Sequence, residues 1–360
     1  MSAPVDPEPE QMELPFVLMR GGTSKAVFVR GSSLPDDPGN RDAVILELFG
    51  SPDPRQIDGL GGADLLTSKL AIIDPASRSD ADVDYTFAQV SVSEPVVDYD
   101  INCGNCSAAV GAYAVDEGLV VVTEPVTTVS IHNTNTGRIL RVDVPVRDGR
   151  AAVSGDLAID GVPGTGAPIA LDYSRTAGGV TGSLLPTGNV IDTLDTAVGP
   201  VDVTIVDLAN LCMFIEASAV EMTGTEGPTE VSVDHLSAVA AVKEAAAGLL
   251  DMAPDGLTPI PAIVSYPVDY TAFGSTTEVT ADEIDLVARV VGGRPLTLHK
   301  AYPGTTAACT GVAARIPGTI VNRVAGPPRG SMVVIGHTSG TMPTSVAVSR
   351  GGDGWRVDRA

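Results

Sequence analysis

Short apolar runs broken by Gly and Pro alternate along this chain with a few helical stretches. Phe16–Arg20 and Ala26–Arg30 flank the turn-like Gly21-Gly22-Thr23-Ser24-Lys25 and predict a hairpin. Lys69–Asp74, Val83–Val92, Thr127–His132 and Ile139–Val146 are further strand candidates. Asn40–Phe49 has a helical pattern, with Gly50 placed to stop it. In the second part of the chain, Val201–Leu208 and Cys212–Ala217 predict strands and Val233–Met252 a surface helix. Thr280-Ala281-Asp282-Glu283 has the form of a capping box, which predicts a helix running to Gly292, and Leu296–Lys300 predicts a strand.

Two stretches break this rhythm. Gly104–Gly118 and Gly304–Ile316 are rich in small residues and apolar nearly all round, so each predicts a buried helix. Each follows a strand candidate and begins at a Gly, and the two starts lie 200 positions apart. That spacing suggests two similar halves, each a curved sheet around one central helix. If the two helix starts face each other, their free N–H groups and positive dipole ends form a cleft for carboxylates. Two ordinary core helices are the plain alternative.

Composition narrows the class. With 45 acidic against 22 basic side chains, the formal charge is −23, which argues against a bulk electrostatic grip on nucleic acid or an anionic membrane. An anionic substrate must then be held locally, by helix starts, Lys69 and cations such as Arg20, Lys25 or Lys300. No apolar run is long enough to span a membrane. The acidic, Pro-rich start lacks an apolar core segment and is expected to be a disordered tail over residues 1–13. Four cysteines in 360 residues do not form a disulfide framework, so the expected location is the cytoplasm.

Some residues invite chemistry. Cys103 stands just before a helix start, where the dipole lowers a thiol's pKa and suits it to proton transfer. Cys103-Gly104-Asn105-Cys106 also matches C-x-x-C, but the sequence around it lacks the βαβ context of a thioredoxin motif and further cysteine or histidine ligands at zinc spacing. Cys309 lies inside its helix and reads as core. Lys69 opens an apolar strand, where burial lowers an amine's pKa and makes it a general base; an edge lysine reaching to water is the alternative. The hydroxyl-rich turns Gly21–Lys25 and Gly336–Thr341 each offer anion contacts or are simple turns, and neither is a Walker loop.

Taken together, Met19–Lys25, Thr67-Ser68-Lys69, Asn102–Asn105, Ser107–Gly111, Leu184–Asn189, Thr223–Glu226, Ala314–Thr319 and His337–Thr341 resemble the PrpF family. The resemblance implies an α/β (α+β) diaminopimelate epimerase-like fold of two pseudo-symmetric domains, each a sheet wrapped around a central helix. Residues 14–188 with 345–360 would form one and 189–344 the other. It implies isomerisation of an unsaturated di- or tricarboxylate by moving a proton across an allylic system, with neither metal nor organic cofactor. Residues matching the family's proposed proton-transfer pair are Lys69 and Cys103. Expected substrate contacts are Asn102, Gly104, Asn105, Gly304 and Thr305, with Ser24, Ser68, Ser339 and Lys300 beside them. Two-cysteine epimerases of this fold carry a thiol before each central helix, whereas Pro303 occupies that place in the second half here. That departure disfavours a symmetric racemase. Competing classes are an epimerase of the same fold, a non-catalytic carboxylate-binding protein, and a thiol oxidoreductase requiring a reversible Cys103–Cys106 disulfide. A homodimer is the default assembly.

Overall fold

The computed structural model describes residues 11–352 and 354–360. Most of the tail expected over residues 1–13 lies outside them. Two sheets organise the chain, and their strand pairings repeat the same plan. The first runs Val17–Gly21, Ser24–Arg30, Lys69–Pro75, Val83–Val90, Val126–Asn133, Arg138–Arg147 and Ala170–Asp172. The second runs Asp192–Thr196, Gly199–Leu208, Asn210–Glu216, Ile260–Ser265, Leu286–Gly292, Met332–His337 and Gly340–Ser345. From the opening hairpin of the first sheet, neighbours pair antiparallel, parallel, antiparallel, parallel, antiparallel. The same alternation recurs from the Gly199–Leu208 and Asn210–Glu216 hairpin onward.

Each parallel step needs a crossover, and the helices supply them. Pro38–Phe49 (α1) crosses in the first half and Val233–Leu249 (α3) in the second, each covering the outer face of its sheet. The second crossovers carry Gly104–Asp116 (α2) and Gly304–Arg315 (α4), the latter followed by Ile320–Ala325 (α5). Both α2 and α4 are enclosed: Cys106–Val115 and Thr305–Ala314 are buried without a break. Small side chains let the sheets close round them. A Cβ on Gly111 would lie 2.8 Å from Val142, and one on Gly311 would lie 2.6 Å from Val346. One hydrophobic core runs through both halves and contains both central helices.

The helix expected from Thr280 to Gly292 does not form. Glu283 does accept the N–H and hydroxyl of Thr280, but this closes only a turn, and Leu286–Gly292 is a buried central strand. Val287, Val290 and Val291 favour the pleated, doubly packed position over a helix. The Leu296–Lys300 strand shrinks to Thr297–Leu298. The segment after the second sheet, Ala347–Gly351 paired with Gly354–Arg359, returns to the first half, where the Tyr173 N–H donates to the Ala360 carbonyl. No helix of the described residues is long and apolar enough to cross a membrane.

Candidate active site

The two central helices meet at their N-terminal ends. A Cβ on Gly104 would lie 3.0 Å from both the backbone nitrogen and Cγ2 of Thr305 and 2.2 Å from the Tyr173 hydroxyl. Only glycine allows so close an approach. Cys103 caps α2, and its Sγ accepts the Cys106 N–H at 3.4 Å. Pro303 occupies the same place on α4 and has no side chain to offer the N–H groups of Gly304, Thr305 and Thr306. Unpaired N–H groups and a positive dipole end thus point at the junction, an arrangement that attracts a carboxylate.

Each hairpin tip supports one helix start. In the first half, Gly22 at φ +47° lets the turn press on Asn105, whose Nδ2 donates to Thr23 Oγ1 at 2.9 Å and Ser24 Oγ at 3.3 Å. In the second, Ala209 takes the left-handed conformation, at φ +58°, and delivers Asn210. The Asn210 side chain accepts the Asn102 N–H at 2.9 Å and donates to the Asn102 carbonyl at 2.8 Å and to Thr305 Oγ1 at 3.0 Å. One buried amide therefore joins the entries to both helices.

Lys69 is buried, with its Nζ 2.7 Å from Gln89 Oε1 and 5.1 Å from the centre of the Phe87 ring. Gln89 is itself fixed by donating to the Ser68 carbonyl at 2.9 Å. Burial pushes the Cys103 thiol up, but hydrogen bonding with the Cys106 side chain, the Lys69 charge, the Cys106 N–H and the Ser24 hydroxyl outweigh it and hold the thiol down to about 6. Cys106 is pushed the other way by burial and by the adjacent Cys103 sulfur.

From the second half, His299 faces this charge. Its Nδ1 lies 2.6 Å from the Ala301 carbonyl and 3.2 Å from the Ala301 N–H, so the backbone of Ala301 fixes the ring. Burial, and then the Lys69 charge, push its pKa down to about 4. His337 is likewise pushed down to about 4 by burial and the Arg289 charge.

The expected site residues divide into two groups. Ser24, Cys103, Gly104, Asn105, Gly304 and Thr305 gather at the junction, with the Lys69 charge acting on Cys103. The others are engaged by the protein. Ser68 donates to Gln56 Oε1 at 2.6 Å. The Asn102 side chain accepts from Ser107 at 3.4 Å and Asn133 at 3.3 Å. Lys300 pairs with Asp64, and Ser339 donates to the Lys300 carbonyl. Gln89, Asn210 and His299 are additions to the expected set. Each is a polar residue in or beside a strand, and folding buries Gln89 and Asn210, which the chain alone does not announce. Among the described residues, no cluster of three or more His, Cys, Asp or Glu is placed to hold a metal ion.

A cavity of about 1090 Å³ borders the junction at Gly104, Asn105 and Gly304 and widens along Met19–Thr23, the alanines of α2 and α4, and Tyr173. Lys69 and Cys103 do not line it. Of the expected site residues, the cavity reaches Gly104, Asn105 and Gly304.

The sequence profile of the family described as PrpF protein matches residues 11–360. The chain belongs to the PrpF family. A 3-methylitaconate isomerase from Eubacterium barkeri is 51% identical, with 95% of this chain and 92% of the relative covered. A 2-methyl-aconitate isomerase from Shewanella oneidensis is 38% identical, covering 98% and 94%. The crystal structure of a methylitaconate-delta-isomerase superposes with a TM-score of 0.78 at 50% identity, covering 98% of this chain and 92% of that one. A hydroxyproline epimerase from Agrobacterium vitis shares the fold alone, with a TM-score of 0.58 at 12% identity, covering 95% and 85%. This PrpF member is an isomerase with the two-domain epimerase-like fold.

Proposed function

We propose that this isomerase shifts the double bond of an unsaturated di- or tricarboxylate by moving one proton across an allylic unit, with a branched methylitaconate-type dicarboxylate as its first substrate class. The observation that carries the reading is Lys69: a buried side chain whose Nζ has one side-chain acceptor, Gln89 Oε1 at 2.7 Å. Lys69 in its amine form takes the proton from the carbon that is allylic and α to a carboxylate. The electron pair spreads over the allyl unit and into that carboxylate. N–H groups at the α2 and α4 starts, with Asn105 and Ser24, stabilise the developing charge. Lys69 then returns the proton at the far end of the allyl unit, and Cys103 is the second group able to do so from a different direction. One proton leaves and one arrives, with no net electron transfer, so the step itself calls for no redox group.

The greater identity to the methylitaconate enzyme than to the methylaconitate enzyme favours the dicarboxylate. Incubation with 3-methylitaconate should raise ultraviolet absorbance as the double bond, at first conjugated with one carboxylate, comes to lie between both, and in D₂O deuterium should enter the allylic product position. Greater turnover of methylaconitate than of methylitaconate would move the assignment to tricarboxylates. Tight binding of both acids without turnover or exchange would overturn it in favour of a carboxylate-binding protein.

A further inference from the structure

Cys106 has no part in the proton transfer, yet its place beside Cys103 gives the pair a chemistry of its own. Cys103 is the cap of α2, and Cys106 is the third residue of that helix, so the cap sulfur lies over the Cys106 N–H at 3.4 Å. The Cys103 thiol in turn donates to Ser24 Oγ at 3.9 Å. Of the four cysteines, Cys103 alone retains exposed surface, 8%, whereas Cys106, Cys212 and Cys309 have none. An oxidant can therefore reach the pair only through Cys103. The Tyr85 hydroxyl, in the same core cluster as Cys106, is buried without a hydrogen-bond partner.

We propose that Cys103 and Cys106 are a peroxide-sensitive dithiol, with Cys103 as the attacking sulfur and Cys106 as the resolving one. The Cys103 thiolate attacks one oxygen of a hydroperoxide. The O–O bond breaks, an S–O bond forms, and the departing oxygen leaves as an alcohol, or as water from hydrogen peroxide, after taking a proton. The Cys106 sulfur then attacks the Cys103 sulfenic sulfur. An S–S bond forms, the S–O bond breaks, and the hydroxyl leaves as water with the Cys106 proton. Two thiols lose one electron each, and the peroxide gains both. The lowered Cys103 pKa supplies the thiolate, and the proximity of Cys106 stops oxidation before the irreversible sulfinic acid.

The second half supplies an internal comparison. Cys212 and Cys309 also adjoin one another, but both are sealed in the core, and burial raises the Cys309 thiol well above its ordinary range. The test uses the full chain treated with equimolar hydrogen peroxide at neutral pH, followed by denaturing alkylation and peptide mass mapping. The expected result is loss of two alkylatable thiols of the four, a disulfide within the Cys103–Cys106 peptide, and recovery with dithiothreitol. Cys106→Ala should form no disulfide and should accumulate at Cys103 a sulfenic acid that dimedone traps. Four intact thiols in the treated wild type, or a disulfide between Cys212 and Cys309, would overturn the proposal. Mass is the readout, so the outcome is independent of which substrate the isomerase turns over.

Discussion

At the start of α2 the capping residue is Cys103, with Lys69 near enough for its charge to favour the thiolate. At the start of α4 the capping residue is Pro303, and the strand corresponding to Lys69–Pro75 begins at Ile260. The frames around the two starts match in strand pairing, in the hairpin beside each helix and in the burial of each helix. What differs is the ionisable equipment. The first half holds an amine and a thiol, whereas the second presents uncapped N–H groups and the neutral imidazoles of His299 and His337. A doubled scaffold thus retains the backbone donors twice and the amine–thiol pair once. That arrangement suits moving one proton along a planar allyl unit better than exchanging protons across two faces of a stereocentre.

The sharpest way to break this asymmetry is to remove its cation. Lys69→Ala should reduce allylic deuterium exchange by about a hundred- to ten-thousandfold, the range of a lost general base; exchange at the wild-type rate would move the base elsewhere. The thiol gives the next effect. Alkylation of Cys103 in the native protein should reach half its maximum rate near pH 6, the Cys103 value, because the thiolate is the reactive form. Cys309 should stay unreactive, being buried with its thiol pushed up. In Lys69→Ala the Cys103 midpoint should rise, since one of the influences lowering it is gone; an unchanged midpoint would show that Lys69 does not act on the thiol.

Stability separates the two glycines. Gly104→Ala drives a methyl to 2.2 Å from the Tyr173 hydroxyl and should cost about 3 kcal/mol. In Gly304→Ala the new methyl meets nothing nearer than Asn105 Oδ1 at 3.8 Å and should leave the melting temperature nearly unchanged. Equal losses in the two variants would mean that the junction is equally tight from both sides. Asn210→Ala should cost about 1–3 kcal/mol, because the Asn102 N–H and carbonyl lose buried partners. Denaturant unfolding measures both effects.

Much of this frame was readable from the chain. The opening hairpin, α1 with its Gly50 stop and the two small-residue helices are local patterns that tertiary packing reinforces. The strand Leu286–Gly292 was not readable as such, because Thr280 and Glu283 make capping-box bonds that normally announce a helix, and only the sheet around it decides for Val287, Val290 and Val291. Cys103 and the helix starts were legible from position. Gln89, Asn210 and His299 were not, because their roles depend on partners brought close only by folding: Lys69 lies 20 positions from Gln89, and Asn102 lies 108 from Asn210. Lys300 shows the reverse problem: its charge was visible, but its neutralisation by Asp64 was not.

The closing hairpin has a topological consequence. Because Ala347–Arg359 returns to the half where the first sheet is built, and Ala360 bonds Tyr173 there, the two halves are linked twice along the chain. A proteolytic nick at the exposed turn Gly188–Asn189 would therefore not release two separable domains. The fragments would remain interlocked through the shared core and the Asn210 bridge, and would part only on unfolding. In mechanical terms, the molecule is a clasp fastened at both ends, with the junction of α2 and α4 held between the fastenings.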